Sequence, residues 1–373
     1  MKCCITFSLF CATLSMGCVP ATAEDAPTDA QPPGWFKKLD HDSDGTLSAK
    51  EAGRFLAALD ADKDDKVTVA EAIAYVKRRQ ADAARKGNRQ PRQKMLLNAT
   101  DFDGRDKTGD GLWVVSIGHS CVIPAIEPCI AISRSAGYEN HTHLMQFHGG
   151  GGGAAKAQWS YEEDRQQAKP ALATGKIDVM TFGHLVTWDG TSVGCDVEDY
   201  QRWIEFAMKH NPDIKFYIQD LWPWLADPKG EPNVEFSLEE FEAAMDVSSQ
   251  SINAVIAQLN KKYPGRVHIL PAGLAMTELV RRVSNNELPG VDTVLIGQKE
   301  KKEGQRAGLY RDKIHPTGVV ATLQGYIYYA CLYGENPMDL KTGIFKDEKL
   351  DRILREVAWE TASQHPRSGV KSK

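Results

Sequence analysis

The sequence predicts an α/β protein: a parallel sheet flanked by helices, preceded by a small α-helical module. Three observations carry this. After Gly111, short β-rich runs alternate with longer segments of helical spacing, the pattern of strands joined by crossover helices. Before it, two acidic stretches repeat too closely to belong to separate helical units. Across the 373 residues, 42% are hydrophobic, enough for one large core and one small one.

The chain begins Met1, Lys2, then an apolar run over 3–19 and Ala21-Thr22-Ala23 ahead of Glu24 and Asp25. A short positive start, an apolar stretch too short to span as a stable helix, and small residues at the cut make 1–23 a signal peptide, cleaved after Ala23. The expected location is secreted or periplasmic, with no stable membrane span in the mature chain. Processing as a lipoprotein at Cys18, after Gly17, is disfavoured by Ser15 and Met16. Four of the eight cysteines leave with this segment, and Cys121, Cys129, Cys195 and Cys331 remain. That is too few for a disulfide framework, which leaves one or two disulfides or buried thiols open. A formal charge of -5 offers no basic excess, so neither nucleic acid nor an anionic membrane is an expected partner.

Residues 30–78 read as the front module. Asp40, Asp42, Asp44, Gly45, Thr46, Ser48 and Glu51 place oxygen ligands, a turn glycine and a final carboxylate at the spacing of a twelve-residue calcium loop. Asp60, Asp62, Asp64, Lys66, Thr68 and Glu71 repeat it, with Lys66 contributing its carbonyl and Asp65 standing where Gly45 stood. A left-handed turn costs a non-glycine residue more, so the second loop is the weaker binder. These loops resemble those of EF-hand proteins, which implies structural Ca2+. Only 52–59 remains for a shared helix, and Trp35, Phe36, Phe55, Leu56 and Ile73 form the expected core. No motif in the module identifies a protein partner. Residues 79–110 read as a linker, basic and polar up to Lys94, with Gly87 and Pro91.

In 111–373 the expected strands are 112–117, 143–147, 177–182, 214–218 and 267–270, and the expected helices 122–136, 196–209, 238–262 and 317–332. Ligands of such a sheet bind outside the carboxyl ends of its strands. There stand His119 and Ser120 after the first strand, Gly149 to Gly153 after the second, His184 after the third, and Asp220 and Trp222 after the fourth. Asp312 and His315 fall in the long loop after the fifth. A serine at a strand end opening a helix is either a helix cap or a nucleophile. Asp312-Lys313-Ile314-His315-Pro316 places a carboxylate three residues before an imidazole, so that Asp312 can fix the His315 tautomer and leave Nε2 as base.

Together, Ser116-Ile117-Gly118-His119-Ser120 and Asp312 to Pro316 resemble the first and last blocks of SGNH/GDSL hydrolases. The resemblance covers about 111–337 and extends to the tyrosine-rich stretch 325–337, similar to a carbohydrate-active branch. It implies a flavodoxin-like sheet, with Ser120 as nucleophile, His315 as general base and acid, and Asp312 as orienting carboxylate. It also implies oxyanion donors from the Ser120 N–H and from a glycine of the 149–153 run, Gly151 by its spacing to Trp159. The asparagine of the third block is missing from Met180-Thr181-Phe182-Gly183-His184, and His184 is the expected substitute donor. Losing such a donor costs roughly 100- to 1000-fold in turnover.

Trp188, Trp222 and Trp224 fall near the expected rim, where they stack on sugar rings or pack in the core. His141 and His143 share one strand face and His148 takes the other, which argues against a three-histidine catalytic metal. The leading expectation is therefore an exported serine esterase removing acetyl or other short acyl groups from carbohydrates or other small esters, with no cofactor for catalysis. A catalytically weak carbohydrate-binding protein and a calcium-dependent scaffold or attachment protein are the alternatives.

Overall fold

The structure, a computed structural model, describes residues 32, 34–53, 56–77, 96–97, 102, 109–163, 165–193, 195–226, 237–295 and 307–371. The expected signal peptide and most of the expected linker lie outside the described residues. The chain divides into two compact units, Met1–Arg92 and Gln93–Lys373.

The front unit opens with α1 (Gly34–Leu39), then β1 (Thr46–Ser48), α2 (Ala49–Ala52), α3 (Leu56–Leu59), β2 (Lys66–Thr68) and α4 (69–77). Where one helix was expected over 52–59, the chain makes two single turns. Ser48 and Glu51 close a reciprocal capping box that starts α2, and Gly53, at φ 51°, ends it. β1 and β2 pair antiparallel with Leu47 opposite Val67, and both side chains are fully buried beside Phe36, Ala52, Leu59 and Ala72. Of the expected core, Phe36 is central, Leu56 packs at its margin and Ile73 is only partly buried. The side chains of Trp35 and Phe55 lie outside the described residues.

The large unit is an α/β sandwich on a parallel sheet of five main strands: β4 (Trp113–Gly118), β5 (Thr142–Phe147), β6 (Val179–Gly183), β7 (Lys215–Gln219) and β8 (Val267–Leu270). Each matches an expected strand within two residues. A two-residue strand, β3 (Leu96–Leu97), extends the edge beside β5. Phe102 is also fully buried in the core. Both fall in the segment read as linker and within the unit that starts at Gln93, and the Phe102 ring packs edge-on against Trp113 at 5.2 Å.

The strand order is β3-β5-β4-β6-β7-β8. The chain therefore starts in the middle, steps one way to β5 and then the other way to β6, β7 and β8, which is the flavodoxin-like order. β4, central and covered on both faces, is buried at every position. One face carries α5 (Ile126–Ser135), α10 (Ala272–Ser284), α11 (Gly318–Tyr333) and α12 (Glu348–Gln364) over a core including Val114, Ile130, Tyr326 and Leu354. On the other lie α6 (Ala155–Trp159), α7 (Ala168–Ala173) and α8 (Val197–His210), over Val115, Met180, Trp203 and Phe216. α9 (Leu238–Lys262) feeds both cores, with Phe241 in the first and Ile252 in the second.

The fifth strand does not lead straight into the loop holding Asp312 and His315. α10 and a separate parallel pair, β9 (Val291–Leu295) and β10 (Ala307–Tyr310), come between. Among the described residues, Cys121, Cys129, Cys195 and Cys331 are all buried free thiols, so no disulfide joins them.

Candidate active site

β4 delivers its last residues to the switch point, where the chain leaves for β5 on one side and β6 on the other. Past Gly118, a tight turn forms as the Val122 N–H donates to the His119 carbonyl at 2.9 Å, which lifts Ser120 out of the sheet. Gln158 holds the strand end by donating to the carbonyls of Gly118 and Gly153, both at 3.0 Å. Gln324 on α11 donates to the Cys121 carbonyl at 2.9 Å and fixes the far side of the turn. The N–H of Ser120 donates to no group among the described residues, and Ser120 is half-buried.

The second element is a narrow hairpin after β10. The Arg311 N–H donates to the His315 carbonyl at 3.0 Å, and Thr317 closes onto Leu309 at 2.9 Å. Inside it, Asp312 Oδ1 accepts the backbone N–H groups of Ile314 at 2.9 Å and His315 at 2.8 Å. The hairpin is pinned from beneath: Leu225 N–H donates to the Lys313 carbonyl at 2.8 Å, and the Trp222 indole donates to the Ile314 carbonyl at 3.1 Å. Residues after β7 thus fix a loop that follows β10.

Across this scaffold the three residues meet. His315 Nδ1 lies 2.9 and 3.0 Å from the two Asp312 oxygens, and His315 Nε2 lies 2.8 Å from Ser120 Oγ. Burial pushes the Asp312 carboxyl up, but the N–H groups of His315 and Ile314 and the His315 ring outweigh that and hold it below its ordinary value. With Nδ1 donating to the carboxylate, Nε2 is left as the acceptor for the serine proton.

Other expected residues fall elsewhere. His184 is fully buried, with Nδ1 against Tyr200 Oη at 2.9 Å and Nε2 against Ser192 Oγ at 2.7 Å. Both ring nitrogens are engaged, so the expectation that His184 donates to an oxyanion is corrected. Within the glycine run, a Cβ at Gly152 would stand 2.2 Å from His148 Nδ1, while the close approach to the end of β4 belongs to Gly153, where it would stand 2.5 Å from His119 Cβ and 2.8 Å from the Gly118 oxygen. Gly151 lies two residues earlier, with nothing within 4 Å of such an atom. Trp222 is buried and serves the hairpin, so it offers no sugar-stacking face; Trp188 and Trp224 remain partly exposed.

His119 escaped the sequence reading as more than a neighbour of Ser120. Its ring is buried, its Nδ1 faces the Cys121 N–H at 3.4 Å, and burial lowers its pKa to about 4, keeping it neutral beside His315. A cavity of about 820 Å3 edged by Tyr329, Glu335 and Trp359 lies at the C-terminal ends of α5 and α11, and Ser120, Asp312 and His315 are not in its lining.

In the front unit, one oxygen each of Asp40, Asp42 and Glu51 can be chosen within 4.8 Å of one another, and likewise for Asp60, Asp62 and Glu71. Gly45 and Asp65 take the same left-handed turn, at φ 82° and 63°, and each donates its N–H to the first aspartate of its loop at 3.1 Å. Asp44 Oδ1 accepts the N–H of Thr46 at 2.7 Å, and Asp64 Oδ1 that of Lys66 at 2.9 Å. Asp40 Oδ1 is buried without a hydrogen-bond partner, as an acceptor reserved for a cation would be. The donor set is all oxygen, which suits Ca2+.

No family model matches the sequence. No curated protein matches it either. Among solved structures, the chain is similar to a crystal structure of a DUF4886 family protein from Bacteroides uniformis, at 13% identity and a TM-score of 0.49, over 68% of this chain and 96% of that one.

Proposed function

We propose that the large unit is a serine hydrolase that cleaves small esters, with acetyl or other short acyl groups on carbohydrates as the substrate class. The observation that supports this best is the hydrogen-bonded series from Ser120 through His315 to Asp312 at the switch point of a parallel sheet. Ser120 Oγ attacks the ester carbonyl as His315 Nε2 takes its proton. His315 then returns that proton to the leaving alcohol, and water releases the acyl group by the same path. Asp312 holds the tautomer and stabilises the imidazolium. The N–H of Ser120 and one from the glycine run, Gly151 by resemblance, receive the oxyanion.

The carbohydrate-binding alternative gains from one observation: His184, where the third-block donor is expected, has no hydrogen to spare. A site with one donor fewer is slower rather than inert. Replacing Ser120 with alanine and following a chromogenic acetate ester tests the reading. Turnover should drop by about 1000-fold or more while the melting temperature stays near that of the wild type. Equal turnover in both proteins would remove Ser120 from the reaction.

In the same reading, both front loops hold Ca2+ as a structural ion, and the leading segment exports the chain to the cell exterior or periplasm. Titration of the full chain with calcium should release heat and raise the unfolding temperature of the front unit. No heat and no shift would remove the ion.

A further inference from the structure

We infer that the large unit holds a buried metal site of its own, in which Cys129 of α5 and His141 and His143 at the start of β5 bind a thiophilic ion, zinc(II) or copper(I). The inference is independent of the hydrolase reading. All three side chains are fully buried, and one donor atom from each can be chosen so that the three lie within 4.8 Å of one another. Cys129 Sγ and His141 Nε2 are 3.8 Å apart, too long for more than a weak thiol contact.

The outer hydrogen bonds argue most strongly. His141 Nδ1 is held by Tyr333 Oη at 2.7 Å, and His143 Nε2 by Ser116 Oγ at 2.6 Å. Each ring is thus oriented through one nitrogen, as metal-ligating histidines are by their outer partners. What remains is Nε2 of His141, turned to the thiol, and Nδ1 of His143, buried without a partner. A buried ring nitrogen without a hydrogen-bond partner is costly unless something else satisfies it. Ser133, one helical turn beyond Cys129, adds a hydroxyl beside the same thiol.

One thiolate and two imidazoles select zinc or copper(I) over calcium or magnesium, which want oxygen. With no donor open to solvent, the site is closed and structural: it ties the helix that follows Ser120 to the neighbouring strand. The ion enters during folding, with loss of the Cys129 proton.

The test uses the full mature chain, produced in zinc-supplemented medium or, in a second arm, with copper under reducing conditions. It is dialysed against excess calcium so that the front loops take up no zinc, and its metal content is then measured. About one retained zinc or copper per chain is expected, falling at least tenfold in Cys129→Ser and in His143→Gln, both keeping ester hydrolysis. Retention of either metal supports the site and identifies the ion. Wild-type protein without zinc or copper, or variants that retain as much as wild type, would overturn it. Should neither variant fold, cobalt(II) loading of the wild type decides: absence of a thiolate-to-cobalt charge-transfer band overturns the assignment.

Discussion

Asp312 does two jobs with one carboxylate. It shapes the hairpin by accepting the Ile314 and His315 N–H groups, and it orients the His315 ring through both oxygens. Asn separates these jobs, because an amide oxygen can still accept the backbone hydrogens while the amide nitrogen faces Nδ1 with a donor. The ring must then turn its acceptor to the amide and its N–H to Ser120. Ester turnover by Asp312→Asn should fall by about 100- to 10,000-fold, with unfolding free energy changed by about 1 kcal/mol or less. Wild-type turnover with the amide in place would dissociate Asp312 from the reaction. This pair was legible in the sequence because three-residue spacing is local. The role of His184 was not: its partners Tyr200 and Ser192 are set by how α8 and the loop after β6 pack.

At the scale of elements, glycines separate packing from chemistry. Gly153 lies against the backbone at the end of β4, so Gly153→Ala must push the strand end that carries Ser120. It should cost about 1–3 kcal/mol of stability and reduce ester turnover as well. Gly151→Ala meets open space and should stay within about 0.5 kcal/mol of wild type; denaturant unfolding of both variants checks the contrast. In the second front loop, Asp65 holds φ 63°, so Asp65→Gly should tighten calcium binding there by about fivefold, readable by calorimetry. The five main strands were legible because burial on both faces leaves near-continuous apolar runs. Leu96–Leu97 was hidden by the basic residues around it, being two residues long. α12 was missed despite a readable pattern, since Leu350, Leu354, Val357 and Ala358 recur at helical spacing and all are buried.

For the molecule as a whole, buried ionisable groups decide how stability follows pH. Asp220, at the end of β7, is fully buried and accepts N–H groups from Gly273 at 2.6 Å and Leu274 at 3.3 Å, at the start of α10. Burial raises its pKa from 3.8 to about 7, against the pull of those N–H groups. The folded protein therefore keeps a proton that the unfolded chain releases. The stability tied to that proton is complete below about pH 4 and is lost as pH rises through about 7. Burial drives His119 and His184 the other way, to about 4. Their neutrality is lost by the unfolded chain first as pH falls below about 6.5, so acid erodes stability through them. The two trends overlap in the wild type, and Asp220→Asn separates them, since the amide keeps an oxygen for Gly273 and cannot ionise. Near pH 4 the variant and wild type should unfold at similar denaturant concentrations. By pH 8 the variant should be more stable, by up to about 4 kcal/mol. A gap of the same size at both pH values would mean that Asp220 acts through packing alone.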